Sequence, residues 1–112
     1  MDYQLNLISL NCHVPDEADQ DEVYLMFEGH RIWPVNGKFV RATIGTNEVG
    51  VELGRRSPDE ELVVGLWDYD TLSLDDHLGD FAIKADRLGT FSSELTSPKN
   101  KAVRYTLTWE VD

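Results

Sequence analysis

An all-β fold is what this sequence predicts, an antiparallel β-sandwich or barrel of about eight short strands. Three observations carry that prediction. Apolar and polar residues alternate with a period of two through most of the chain. Turn residues recur between those stretches, and the helical period is nearly absent. The clearest strand is the last, where Val103, Tyr105, Leu107, Trp109 and Val111 alternate with Arg104, Thr106, Thr108, Glu110 and Asp112.

The elements follow in chain order. Tyr3, Leu5 and Leu7 alternate with Gln4 and Asn6 and make the first strand. Val23–Phe27, Arg31–Trp33 and Lys38–Ile44 come next, then a weaker Glu48–Leu53, then Leu62–Trp67 and Phe81–Ala85, before the closing strand. Glu28-Gly29 and Asn36-Gly37 suit tight hairpin turns. Gly45–Asn47 and Gly54–Pro58 read as loops, and Thr96–Asn100 as a polar loop before the last strand. A single helical turn is expected, over Ala85–Gly89 or Ser92–Leu95. Trp33, Trp67 and Trp109 fall within strands and are expected in the core. With neither a repeat nor a linker, residues 1–112 are expected to form one domain, long enough to bury a core without disulfides.

Composition narrows the partners. Hydrophobic content of 41% and charged content of 28% are ordinary for a folded domain. Twenty-one acidic against ten basic residues give a net charge of −11, which repels phosphate backbones and argues against nucleic acid. An anionic membrane is repelled too, unless a bound cation reverses the local sign. Cys12 is the one cysteine, so no internal disulfide can form. No apolar run approaches the roughly 18 to 20 residues that span a bilayer. Met1–Asn6 lacks the positive start and apolar run of a secretory signal, so a cytoplasmic setting is expected if the chain is complete.

The negative charge is concentrated in two places. Leu62–Trp67 runs directly into Asp68-Tyr69-Asp70, and Asp75-Asp76 follow before Gly79, so one short loop holds four carboxylates. A second cluster, Asp16, Glu17, Asp19, Asp21 and Glu22, precedes Val23–Phe27. Crowded carboxylates repel one another and resist burial unless a cation shares their space. Loops gather at the two ends of a sandwich, so these two can share an end. Six or more carboxylates would then face one cavity, which a divalent ion would hold together. Hard oxygen donors on flexible loops suit calcium best. Asp68 and Asp70, two apart at a strand end, point the same way, and Asp76 can return from across the loop. A pair of solvated acidic loops is the plainer alternative, and residue types alone leave both open.

Leu62–Ile83 resembles the most recognisable part of a C2 domain, the calcium- and phospholipid-binding β-sandwich. In that family an apolar strand ends in Asp-aromatic-Asp, and a further Asp precedes an apolar residue and Gly; here those places are Asp68, Tyr69, Asp70, Asp76, Leu78 and Gly79. The family's other calcium loop carries two Asp residues. Asp21 matches the second and Asp16 is nearest to the first, with Asp19 as a substitute. Glu22-Val23 stand where the family has Pro-Tyr, and the Asp16 to Asp21 spacing is one residue shorter than the pattern. Leu107-Thr108-Trp109 is similar to the family's last strand.

The resemblance implies an eight-stranded antiparallel sandwich whose three loops at one end bind Ca2+. It implies Asp16, Asp21, Asp68, Asp70 and Asp76 as ligands, with Asp75 facing solvent or serving as a supporting acceptor. The filled loops would dock to anionic phospholipid or to a protein partner. Leu72 and Leu74 at the loop tip would make that contact or pack beneath the loop, and Lys38 with Arg41 would form a thin basic face. The alternative is a protein-interaction or structural sandwich in which calcium only stiffens the fold or plays no part. Other motifs fit less well. Asp68-x-Asp70 lacks the further positions of an EF-hand loop, and His13, His30, His77 and Cys12 have no zinc-site spacing. Without a Gly-x-Ser-x-Gly elbow or other catalytic signature, a binding module is expected and not an enzyme.

Overall fold

The computed structural model describes residues 1–18, 20–96 and 101–112, and every regular element among them is a β-strand. The strands are β1 (Tyr3–Val14), β2 (Asp21–Phe27), β3 (His30–Trp33), β4 (Val40–Ala42), β5 (Gly45–Arg56), β6 (Leu62–Asp68), β7 (Asp76–Ile83), β8 (Gly89–Glu94) and β9 (Arg104–Val111). One sheet runs β5-β1-β9-β8. The other runs β3-β2-β6-β7, with β4 also on β2, and the named strand pairs within both sheets are antiparallel. Their inner faces close on one core that includes Leu5, Leu10, Val23, Leu25, Leu66, Phe81 and Leu107.

Backbone irregularities explain where alternation fails as a guide. Leu5, Leu7, Leu10 and Cys12 are all buried on β1, although Leu7 and Leu10 are three apart. The pairing shifts between Leu7 and Ser9 against both neighbours, so Ile8 is an extra bulged residue and the strand resumes on the same face. Thus β1 reaches Val14, well past the expected Leu7. Its extra length recruits the partner strand too. Gly45–Asn47 and Gly54–Arg56, expected as loops, belong to β5 because Cys12 pairs with Gly45 and Tyr3 with Arg56.

Two further expectations are corrected. No helical turn forms at Ala85–Gly89 or Ser92–Leu95; residues 86–88 bend and Gly89–Glu94 is strand β8. Pairing with β9 and the Phe91 ring against Trp109, at 6.1 Å, outweigh the weak local helical preference. Asn36-Gly37 does not close a hairpin either. β3 pairs with Leu25–Phe27 and β4 with Asp21–Val23, so the two lie end to end on one edge of β2. Glu28-Gly29 is the tight turn expected, with φ of 51° and 81°. The polar loop expected at Thr96–Asn100 lies outside the described residues from Ser97 onward. Of the tryptophans, Trp33 and Trp109 are in the core, whereas Trp67 lies on the outer face, stacked between Tyr24 and His77.

Gly79 is held by close approach. A Cβ there would meet Leu95 Cγ at 2.7 Å and the Thr96 carbonyl oxygen at 2.8 Å. That carbonyl accepts the Asp80 N–H and cannot simply swing away. Gly79→Ala is therefore expected to cost about 1 to 3 kcal/mol, the range for overpacking, read as a lower denaturant midpoint at unchanged slope.

Candidate metal centre

Three connections turn at the same end of the sandwich. Residues 15–20 lead into β2, residues 69–75 join β6 to β7, and Thr43-Ile44 join β4 to β5. Antiparallel pairing puts them together, since the start of β2 lies beside the end of β6, with Val23 opposite Asp68. Two hydrogen bonds, one between backbones and one from backbone to side chain, fix that register. The Tyr69 N–H donates to the Glu22 carbonyl at 2.7 Å, and the Glu22 N–H to Asp68 Oδ1 at 2.9 Å. The two acidic loops, some fifty residues apart in the chain, meet here.

Two groups of acids converge. One oxygen each from Asp16, Asp68 and Asp76 lie within 4.8 Å of one another, and so do one each from Glu17, Asp21 and Asp68. Asp68 belongs to both. Two oxygens that each sit about 2.4 Å from a calcium ion are at most about 4.8 Å apart, so this spacing fits calcium. The donors are hard oxygens, and neither group contains a histidine or Cys12. Glu17 is the residue that sequence reasoning missed. Acidity marked it, but nothing in the sequence shows which way a loop side chain turns.

Asp21, Asp70 and Asp75 also hold the loops in shape. Asp21 is fully buried: Oδ2 accepts the Asp16 N–H at 2.9 Å and the Tyr105 hydroxyl at 2.6 Å, and Oδ1 accepts the Glu17 N–H at 2.9 Å. Asp70 is exposed and in neither group; it accepts the Leu72 N–H and the Ser73 hydroxyl, both at 2.8 Å. Asp75 accepts the Asp70 N–H at 2.9 Å and the Tyr24 hydroxyl, which pins the loop to the outer face of β2. Asp19, the alternative to Asp16, lies outside the described residues.

The charges register one another. Burial pushes the Asp68 carboxyl up to about 6, the Glu22 N–H offsets part of this, and nearby Asp21, Glu17 and Asp16 push further. Glu17 is raised by burial and then by Asp21, Glu22, Asp16 and Asp70, so the charge of Asp70 reaches the cluster from outside it. Asp70 itself is lowered, chiefly by the Leu72 N–H. A carboxyl held up by burial and three carboxylates is one that a cation would relieve.

Beyond the acids, Leu72 and Leu74 at the loop tip are 95% and 90% exposed and do not pack beneath it. Beside the loop, Phe39 stacks on Tyr69 at 5.2 Å, with the Lys38 ammonium 5.6 Å from the Tyr69 ring and Arg41 over Phe39. No helix among the described residues is long and apolar enough to cross a membrane.

The sequence matches no protein-family model and no curated protein. The structure is similar to a solved structure described as "Structure of a C2 domain", with a TM-score of 0.55 and 14% identity over 98% of both chains. At that identity the likeness is one of fold. This chain has the β-sandwich fold of a C2 domain, with its acidic loops at one end.

Proposed function

We propose that this chain, a C2-fold sandwich, is a calcium-binding module and not an enzyme, and that it docks to phospholipid once its acidic end is filled. The observation that carries this reading is the meeting of Asp16, Asp68 and Asp76 oxygens within 4.8 Å of one another. Glu17 and Asp21 form a second group with the same Asp68. Asp70, which stands outside both groups, would add a further carboxylate oxygen from the neighbouring loop. A bound calcium supplies positive charge and open coordination positions for a phosphate oxygen. A cation held there would offset the charge that Asp68 shares with Asp21, Glu17 and Asp16, and so relieve the repulsion within the cluster. Leu72 and Leu74 are then free to enter the bilayer interface without carrying a field that repels it.

A calorimetric calcium titration tests this directly, with saturable binding expected and a featureless trace decisive against it. Vesicle co-sedimentation with and without chelator tests the lipid step. Burying one leucine is worth about 1.5 to 3 kcal/mol, so Leu72→Ser with Leu74→Ser is expected to weaken vesicle binding at least tenfold. The calcium titration of that variant should match the wild type.

A second reading, a sandwich that contacts proteins without calcium, is favoured by one observation. Asp21, Asp70 and Asp75 accept loop N–H groups, bonds that shape the loops without calling on a cation. Calcium-independent vesicle binding or none, together with a flat titration, would favour that reading.

A further inference from the structure

We propose that Tyr105 is a positioning residue for the calcium centre: its hydroxyl, reaching across the core from the opposite sheet, fixes Asp21 so that one carboxylate oxygen faces the ion. The inference rests on the calcium reading above. Asp21 takes three hydrogen bonds, and their origins differ in consequence. Two come from Asp16 and Glu17, which belong to the very loop that must be held. The third, from Tyr105 on β9, is the bond that ties this carboxylate to the other sheet.

The geometry also selects the oxygen. Oδ2 receives both the Asp16 N–H and the Tyr105 hydroxyl, so its two lone pairs are in use. Oδ1 receives the Glu17 N–H alone and keeps capacity for a cation. Asp21 is thus set up to bind through one oxygen, beside Asp68 and Glu17. Tyr105 has no freedom to adjust. It is buried and paired directly with buried Cys12 across β1 and β9. Partners that orient a metal ligand from behind typically contribute ten- to hundredfold in affinity.

The test is a calcium titration of wild type, Tyr105→Phe, Asp21→Asn and the double variant, well below the melting temperature. Tyr105→Phe keeps the ring and the packing and is expected to weaken calcium binding about tenfold. Amide exchange at Asp16 and Glu17 should quicken. In the Asp21→Asn background the same change should alter affinity by less than twofold, because Tyr105 acts through that carboxylate. Tyr105→Phe binding within twofold of wild type, or an equal loss in both backgrounds, overturns the inference and leaves the calcium reading intact. Wild type that binds no calcium removes both. Should Tyr105→Phe fail to fold, the wild-type hydroxyl proton decides by NMR. Protection from exchange that survives calcium supports the clasp, and protection lost on calcium addition overturns it.

Discussion

Replacing Asp68 with asparagine is expected to make the calcium-free protein more stable and, at the same time, indifferent to calcium. Asparagine keeps a side-chain oxygen to accept the Glu22 N–H, so the β2–β6 register survives. It removes a buried charge that faces Asp21, Glu17 and Asp16 with no cation to balance it. In chelator at neutral pH the melting temperature of Asp68→Asn should therefore exceed that of wild type. Calcium reverses the order. An ion at a hundred times its dissociation constant stabilises the folded state by about 2.7 kcal/mol, on the order of 10 °C for a domain of this size. Wild type should rise by that much in millimolar calcium, and Asp68→Asn, lacking the carboxylate shared by both acid groups, by almost nothing. Two melts per protein suffice. Parallel rises in both proteins would remove Asp68 from the centre, and a lower chelated melt for the variant would show that its charge is not a burden.

That crossing of the curves is the mark of a site built against stability. Acids placed purely for solubility would stay apart and exposed. Here Asp68 is 5% exposed and Asp21 fully buried, at the mouth of a core that gains nothing from their charge. The fold carries the cost because other groups are arranged around them. Three donors surround Asp21, and the Glu22 N–H caps Asp68. Asp75 and Tyr24 brace the neighbouring loop. Proteins concentrate such locally unfavourable arrangements where they bind something.

How much of this was legible beforehand depends on what a period of two can record. Alternation reports which face a residue occupies, so β2, β6 and β9 were visible almost residue by residue. It does not report register or bulges. Ile8 interrupts the alternation of β1, and a strand of twelve residues therefore looked like one of five. β8 was hidden for a different reason: Phe91 and Ser93 face inward between Ser92 and Glu94, but three small or polar residues among them leave little hydrophobic contrast. Trp67 looked like core because it sits in an apolar run, yet only strand pairing could show that its ring faces outward over Gly65.

The site divides along the same line. Aspartates at strand ends were readable, since Asp21 and Asp68 each adjoin an apolar run and antiparallel pairing sets those ends side by side. What each loop carboxylate does was not. Asp70 turns back onto the Leu72 N–H and the Ser73 hydroxyl, and Glu17 turns toward Asp68, orientations that spacing along the chain does not record. Motif spacing treats Asp16, Asp21, Asp68, Asp70 and Asp76 as equivalents. Oxygen spacing sets Asp16, Asp68 and Asp76 in one group, while Asp21 and Asp70 are seen to accept the N–H groups that shape the loops.

Acidity should separate the free and calcium-loaded proteins in opposite directions. The folded Asp68 carboxyl is held up to about 6, above its ordinary value of 3.8. The folded state therefore binds the extra proton between those values. Its contribution to stability is fully present below about 3.8 and is lost as pH rises through about 6. Glu17, also raised, acts in the same sense, whereas lowered Asp70 contributes stability that is lost as pH falls. The wild type minus Asp68→Asn difference isolates the first of these. In chelator that difference should move against wild type as pH rises from 4 to 7, then level off. With calcium the trend inverts, because a proton on Asp68 occupies the oxygen the ion needs. The calcium-induced rise in melting temperature should be full at pH 7.5, slightly reduced near pH 6, where the apparent dissociation constant doubles, and about half as large at pH 5, where that constant is about tenfold higher. Melts at those three values, with and without calcium, give the whole pattern. A calcium effect as large at pH 5 as at pH 7.5 would mean that the ion does not compete for the Asp68 carboxyl.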